Sequence, residues 1–206
     1  MKTLTKEAQQ AITPLMAIEI LKKGNERFQN NLKTNRNLLQ QVNETSDGQH
    51  PFAVILSCID SRTSAELIFD QGLGDIFSVR IAGNIINEDI LGSMEFACKV
   101  AGAKIIVVLG HTKCGAIKGA CDNVEMGNLT TLLTKIKPAI EEETTVTKDR
   151  NSKNSDYVEK VAQLNVKKTA NAIIEKSPIL KEMIDSGTIG IFGGMHDIST
   201  GLVQFY

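Results

Sequence analysis

Three continuous apolar runs, Phe52 to Ser57, Ile76 to Ile81 and Lys104 to Leu109, most constrain what this chain can fold into. None alternates with polar residues, so each predicts a strand buried on both faces, as in a parallel sheet covered by helices. Ala65 to Asp70 reads as a short helix between the first two. Ile90, Met94, Ala97 and Ala101 recur at helical spacing before Gly102, between the second and third. Strand, helix and strand in that order make a βαβ rhythm.

The flanking segments extend this pattern. Thr13 as N-cap and Pro14 in the first turn predict a helix to about Asn30, with Leu15, Ile18, Leu21 and Phe28 sharing a face. Asn30 to His50 is polar and rich in Asn and Gln, and reads as a connecting arm able to wrap a partner. After Cys114, the stripe Leu129, Leu132, Leu133, Ile136 and Ile140 is helical, and Pro138 should kink or shorten it. Val158, Val161 and Leu164 begin another helix running towards Ile173. Ser177 and Pro178 start a short one that Gly187 stops. The last strands are Ile189 to Phe192 and Leu202 to Phe205, joined by a turn near Ser199 to Gly201. The charged stretch Glu141 to Lys153 reads as a solvated loop or helix end. Gly72-Leu73-Gly74 precedes a strand and lacks a third glycine, so it is a turn and not a dinucleotide loop.

With 206 residues, 42% of them hydrophobic, the chain can bury a full core. The expected fold is α/β: a central, mostly parallel sheet flanked by helices, with an N-terminal helical arm and a C-terminal β-hairpin. One domain is expected over residues 1–206, with residues 1–50 as the arm and 51–206 as the core.

Lys plus Arg number 23 against 24 Asp plus Glu, for a net charge of -1, so no global field draws the chain to nucleic acid or to an anionic membrane. No apolar run approaches the ~20 residues that span a bilayer, and the first ten residues lack the apolar core of a secretory signal. The expectation is a cytoplasmic protein acting on a small molecule. Four cysteines are too few for a disulfide framework in a chain this long, so their spacing decides what they do.

That spacing is informative. Cys58-Ile59-Asp60-Ser61-Arg62 begins where the first apolar run ends, and His111-Thr112-Lys113-Cys114 follows the third in the same way. Ligands of open α/β sheets bind beyond the carboxyl ends of strands, so two strand ends converge on one crevice. Two thiolates and an imidazole suit zinc, and three protein ligands leave one position for water, which marks a catalytic site. Two thiolates formally cancel the metal charge, so the bound water should be less acidic than on a three-histidine site, with activity rising above neutral pH. Asp60 has two possible roles: a fourth ligand that closes the site, or an acceptor for a hydrogen bond from metal-bound water. A bidentate pair with Arg62 would keep Asp60 ionised and turned away from the metal.

Plainer readings apply elsewhere. A lone cysteine in an apolar run is usually a small buried residue, and only the combination of both motifs argues for metal. Cys98 lies on an apolar helical stripe and Cys121 on a helix after the site, so both are expected to be packing residues. His50 and His196 have no assignable task, and Lys113 reads as surface charge.

The motifs CIDSR (Cys58 to Arg62) and GHTKCGA (Gly110 to Ala116) resemble those of the beta-class carbonic anhydrases. GNERF (Gly24 to Phe28) looks like that family's amino-terminal helix, Gln49 to Ser57 like its first strand, Arg80 to Asn84 like its RxAGN segment, and Asp197 to Gly201 like its C-terminal hairpin. The resemblance implies one zinc per chain on Cys58, His111 and Cys114, with Asp60 and Arg62 as the catalytic dyad. It also implies that Gln49 donates to substrate across a dimer interface, and that Phe77 and Ala82 form apolar walls of the carbon dioxide pocket. Two positions depart from the family. Ile55 stands where one subclass carries a tryptophan of an inhibitory bicarbonate site, and Ile59 stands where serine is commoner.

The implied activity is reversible hydration of carbon dioxide to bicarbonate and a proton by a zinc hydroxide nucleophile. The implied partners are carbon dioxide, bicarbonate and water, with a homodimer or higher homo-oligomer as the assembly. Alternatives are hydrolysis of carbonyl sulfide or carbon disulfide on the same fold, or a non-catalytic zinc- or bicarbonate-binding protein.

Overall fold

The computed structural model describes residues 3–206. Two helices open it, α1 (Lys6–Ala11) and α2 (Pro14–Gln29), followed by α3 (Leu38–Glu44). The core then runs β1 (Ala53–Ser57), α4 (Ala65–Ile68), β2 (Ile76–Arg80), a 3-10 turn (Ala82–Asn84), α5 (Glu88–Glu95) continued by a π turn (Phe96–Val100), and β3 (Ile105–His111). After β3 come α6 (Gly115–Cys121), α7 (Gly127–Thr134), α8 (Lys137–Glu142), α9 (Ser155–Lys176), α10 (Pro178–Asp185), β4 (Gly190–His196) and β5 (Val203–Phe205). The five strands lie in the order β2-β1-β3-β4-β5, all parallel except β5, which returns antiparallel to β4 as a hairpin.

β1 and β3 are buried along their whole length because both faces of the sheet are covered. Val54 and Leu56 of β1 and Ile106 and Val108 of β3 pack against α5, α6, α9 and α10 through Met94, Ile117, Val161 and Leu180. Ala53 and Ile55, with Ile105 and Val107, pack against Ala17, Ile18 and Leu21 of α2 and Ala65 and Ile68 of α4. At ~25 cal/mol per Å² of apolar surface, these two layers supply the main drive to fold. β2 departs from the expected pattern: only Ile76 is buried, and Ser78 and Arg80 are exposed, because β2 is an edge strand with one sheet neighbour.

Local chemistry sets the helix ends. Thr13, Asn87, Asn154 and Ser177 each accept an amide of the first turn of the helix they precede. The apolar stripe from Leu129 to Ile140 is divided into α7 and α8, with Pro138 placed in the first turn of the second. Leu15 does not belong to the buried face of α2: it is 73% exposed, and the inner stripe is Ala17, Ile18, Leu21, Gly24 and Asn25. Gly24 is required there, since a Cβ would stand 1.8 Å from the Phe69 carbonyl oxygen.

Two segments read as polar connections carry structure. Asn37 caps α3 inside the arm. In the charged stretch, Glu143 is buried and accepts the amides of Thr145 and Val146, while Arg150 donates to the carbonyls of Ile140, Glu143 and Val146 and lies over the Tyr157 ring.

The arm is fastened to the core by Asp70. Its carboxylate accepts from Arg27 at 2.6 Å, Arg36 at 2.5 Å and the Thr34 hydroxyl at 2.9 Å. Burial would raise this carboxyl, but Arg27, Arg36 and Thr34 outweigh it and hold it at about 2. A carboxyl depressed in the fold contributes stability that is complete above its unfolded value near 4 and is lost as pH falls through about 2. Asp70→Ala leaves two guanidiniums without their buried partner. It is expected to lower unfolding free energy by roughly 3 kcal/mol in urea melts at pH 7 and to flatten the acid limb of the stability curve.

Candidate metal centre and active site

β1 and β3 are neighbours in register, Ser57 beside Leu109, so the residues leaving their carboxyl ends meet. Cys58, His111 and Cys114 are all buried, and their donor atoms lie within 4.8 Å of one another. The two sulfurs are 4.0 Å apart, close to the ~3.8 Å expected for two thiolates ~2.3 Å from a tetrahedral zinc.

The imidazole is set for the same task. His111 Nδ1 lies 2.9 Å from the Thr112 carbonyl oxygen, which only accepts, so the neutral ring carries its proton on Nδ1. Nε2 is left as a buried lone pair without a hydrogen-bond partner among the described residues. A left-handed Lys113 (φ 58) turns the chain so that Cys114 faces back to His111, and its amide donates to Glu159 at 2.8 Å. Two sulfurs and one lone pair converging in a buried pocket fit zinc.

The thiols are unequal. The Cys114 thiol donates to Cys58, and with the Gly83 amide it outweighs burial, holding Cys58 well below the usual thiol range. Cys114, as donor to that thiolate and buried, is pushed up.

Asp60 is held by Arg62 in a fork: Nε to one carboxylate oxygen at 2.9 Å, Nη2 to the other at 2.7 Å, and the Arg62 amide at 3.0 Å. The Arg62 side chain holds the Asp60 carboxyl far below the usual carboxylate range. Arg80, to which sequence reasoning gave no role, donates to the carbonyls of Cys58 at 3.0 Å and Asp60 at 2.6 Å, and the Thr63 hydroxyl reaches the same two. The signal for Arg80 was its place at the end of β2, next to the end of β1.

Beside Cys58 and Asp60 lies a cavity of about 260 Å³, otherwise apolar and walled by Ala82, Ala116, Leu129 and Leu133. Ala82 is thus at the centre. Gln49 and Phe77 of the same chain are not: Gln49 lines a cleft with Val42 and Leu73 at the other end of β1, and Phe77 a separate one with Phe96. His196 lies in register with His111 on β4 and is buried without ring partners among the described residues. Burial holds its imidazole at about 4, so it is neutral near pH 7. Cys98 and Cys121 are buried and free, as expected, and burial raises both thiols.

The family model described as carbonic anhydrase matches residues 53–203, and the chain belongs to that family. Its class is beta, as its solved neighbours show. Carbonic anhydrase 2 of Mycobacterium tuberculosis is 35% identical over 196 residues, covering 91% of this chain and 90% of the relative. The β-carbonic anhydrase CafA of Aspergillus fumigatus superposes with a TM-score of 0.72 at 26% identity, covering 82% of this chain and 81% of that one. One of two tetrameric β-carbonic anhydrases of Sordaria macrospora gives a TM-score of 0.69 at 27% identity, over 78% and 82% of the chains.

Metal uptake must displace the proton that Cys114 retains, so zinc affinity is expected to rise with pH and binding to release protons. Competition with a chromophoric chelator between about pH 6.5 and about pH 8.5 measures this, and a flat profile would count against a ligand thiol with a raised pKa. Cys58→Ser is expected to lose the metal, read as zinc per chain after dialysis.

Proposed function

We propose that Cys58, His111 and Cys114 hold one zinc per chain and that Asp60, kept ionised by Arg62, orients the attacking water in the family's reaction, the reversible hydration of carbon dioxide to bicarbonate and a proton. The observation that carries this reading is the Asp60–Arg62 fork beside a buried three-donor cluster. Zinc bound there supplies a Lewis acid that makes water nucleophilic near neutral pH.

The chain's own residues do the rest. Both Asp60 oxygens are engaged by Arg62, which favours the open arrangement over Asp60 as a fourth ligand. The ionised carboxylate still has lone pairs to accept a hydrogen bond from the water and so to aim its oxygen. Carbon dioxide, neutral and linear, is held in the apolar cavity walled by Ala82, Leu129 and Leu133, where water competes poorly for space. Gln49 precedes β1, and it and Phe77 line clefts separate from the cavity beside Cys58 of their own chain, which supports a role for both at the site of a neighbouring copy.

A homodimer or larger homo-oligomer suits the surface. Leu38 and Leu39 of the arm are 56% and 78% exposed, and Phe96 and Val100 beside the edge strand are 53% and 71% exposed. The Sordaria relatives are tetrameric. Among the described residues no helix is long and apolar enough to cross a membrane, and the four cysteines are free, which fits a reducing compartment such as the cytoplasm. We also read residues 1–206 as one domain, with α1 to α3 as its arm. Hydrolysis of carbonyl sulfide or carbon disulfide has no observation of its own in its favour, and neither has a non-catalytic zinc protein.

Stopped-flow carbon dioxide hydration by the zinc-loaded protein tests the reading. Asp60→Asn is expected to keep zinc while lowering kcat by about a hundredfold or more, and full zinc with undiminished turnover would remove Asp60 from the mechanism. The shared site has its own test. Chains carrying Asp60→Asn and chains carrying Gln49→Ala, refolded together, are expected to recover activity above the sum of the two alone, because mixed dimers contain one intact site; no recovery would place Gln49 outside it.

A further inference from the structure

Gly83 lies in the 3-10 turn after β2, with left-handed φ 70 and ψ 17. A Cβ there would stand 2.9 Å from Ile136 Cδ1 and 3.3 Å from the Ala116 Cβ, so only glycine fits this backbone in this space. The conformation points the Gly83 amide at the Cys58 sulfur, 3.4 Å away. The carbonyl of the same residue accepts from Asn165 Nδ2 at 2.8 Å. Both peptide planes around Gly83 are thereby anchored, one on the sulfur and one on a side chain that arrives from α9, 82 residues later.

Asn165 is out of place in packing terms. It is 3% exposed, with the buried Val161, Val166 and Thr169 around it on α9. An aliphatic residue would fill that position without the cost of burying a carboxamide, which is offset only when the amide is hydrogen-bonded. Its side-chain amide donates to Gly83, the glycine whose own amide faces the Cys58 sulfur. Amide donors to a thiolate stabilise its charge, and such outer contacts orient and tune metal ligands.

We propose that Asn165 is a positioning residue of the metal centre: by holding the Gly83 carbonyl it keeps the Gly83 amide aimed at the Cys58 sulfur. The proposal rests on the reading of Cys58 as a zinc ligand. It adds α9 to the elements that build the site, beside the strand ends and the Asp60–Arg62 fork.

The test uses the full chain. Asn165→Leu keeps the branching and the number of heavy atoms and removes the donor. Thr169→Val, one turn further along α9 at another buried position, is the control for disturbing that helix. Zinc affinity is read by chelator competition, and the thiolate-to-metal charge-transfer band is read on cobalt-substituted protein. Asn165→Leu is expected to weaken zinc binding by about tenfold to a hundredfold and to shift the band, with Thr169→Val matching the unsubstituted chain. A folded Asn165→Leu protein with unchanged affinity and band overturns the proposal, as do equal losses in both variants. If Asn165→Leu fails to fold, cadmium-113-loaded, nitrogen-15-labelled native protein decides. A Gly83 amide protected from exchange and scalar-coupled to the metal supports the proposal, and a freely exchanging, uncoupled one overturns it. None of these readouts uses carbon dioxide, so a failure of the hydration reading would appear separately, as zinc-loaded protein without turnover.

Discussion

Everything at the metal centre depends on the parallel pairing of β1 with β3 in the middle of the sheet. In a parallel pair the carboxyl ends lie side by side, so residues far apart in the chain emerge next to each other. Ser57 pairs with Leu109, and Cys58 is therefore delivered to the neighbourhood of His111 and Cys114. The register is held by apolar side chains on both faces, since a slip by one residue would exchange the two buried sets. The rigidity of the centre is thus a property of the core beneath it.

The polar groups around that centre each resolve a conflict created by burial. Cys58 and Cys114 are buried side by side, and the Cys114 thiol donating to its neighbour holds Cys58 low while Cys114 is pushed up. Asp60 stands at the edge of the same low-dielectric region and stays ionised because Arg62 meets it with a planar fork, which lysine cannot match. Arg80 and Thr63 hold the backbone carbonyls of Cys58 and Asp60, so the loop bearing the Cys58 thiol and the Asp60 carboxylate is itself pinned. A shaped apolar cavity and a charged fork therefore coexist within one short loop.

Much of this was legible in the residues. Continuous apolar runs gave away β1 and β3 because burial on both faces leaves no position for a polar residue, and caps such as Thr13 and Ser177 act within a few residues of themselves. The cluster of Cys58, His111 and Cys114 was legible because few chemistries need two cysteines and a histidine just past strand ends, and the Asp60–Arg62 pair because its members are two residues apart. Other features were hidden. Leu15 has the periodicity of a buried residue yet points outward, since periodicity gives a face and not what covers it. β2 looked like a central strand, and its edge position depends on sheet order, which no local pattern encodes.

The sequence by itself determined the elements, the grouping of two cysteines with a histidine and the Asp60–Arg62 pair, because each rests on contacts between near neighbours or on the chemistry of a residue type. Tertiary structure alone decided that Arg80 clamps the loop, that Asn165 reaches Gly83, that Asp70 fastens the arm and that Gln49 lies away from its own chain's centre. Those facts join segments tens of residues apart, and only the packing of helices onto the sheet sets their distances.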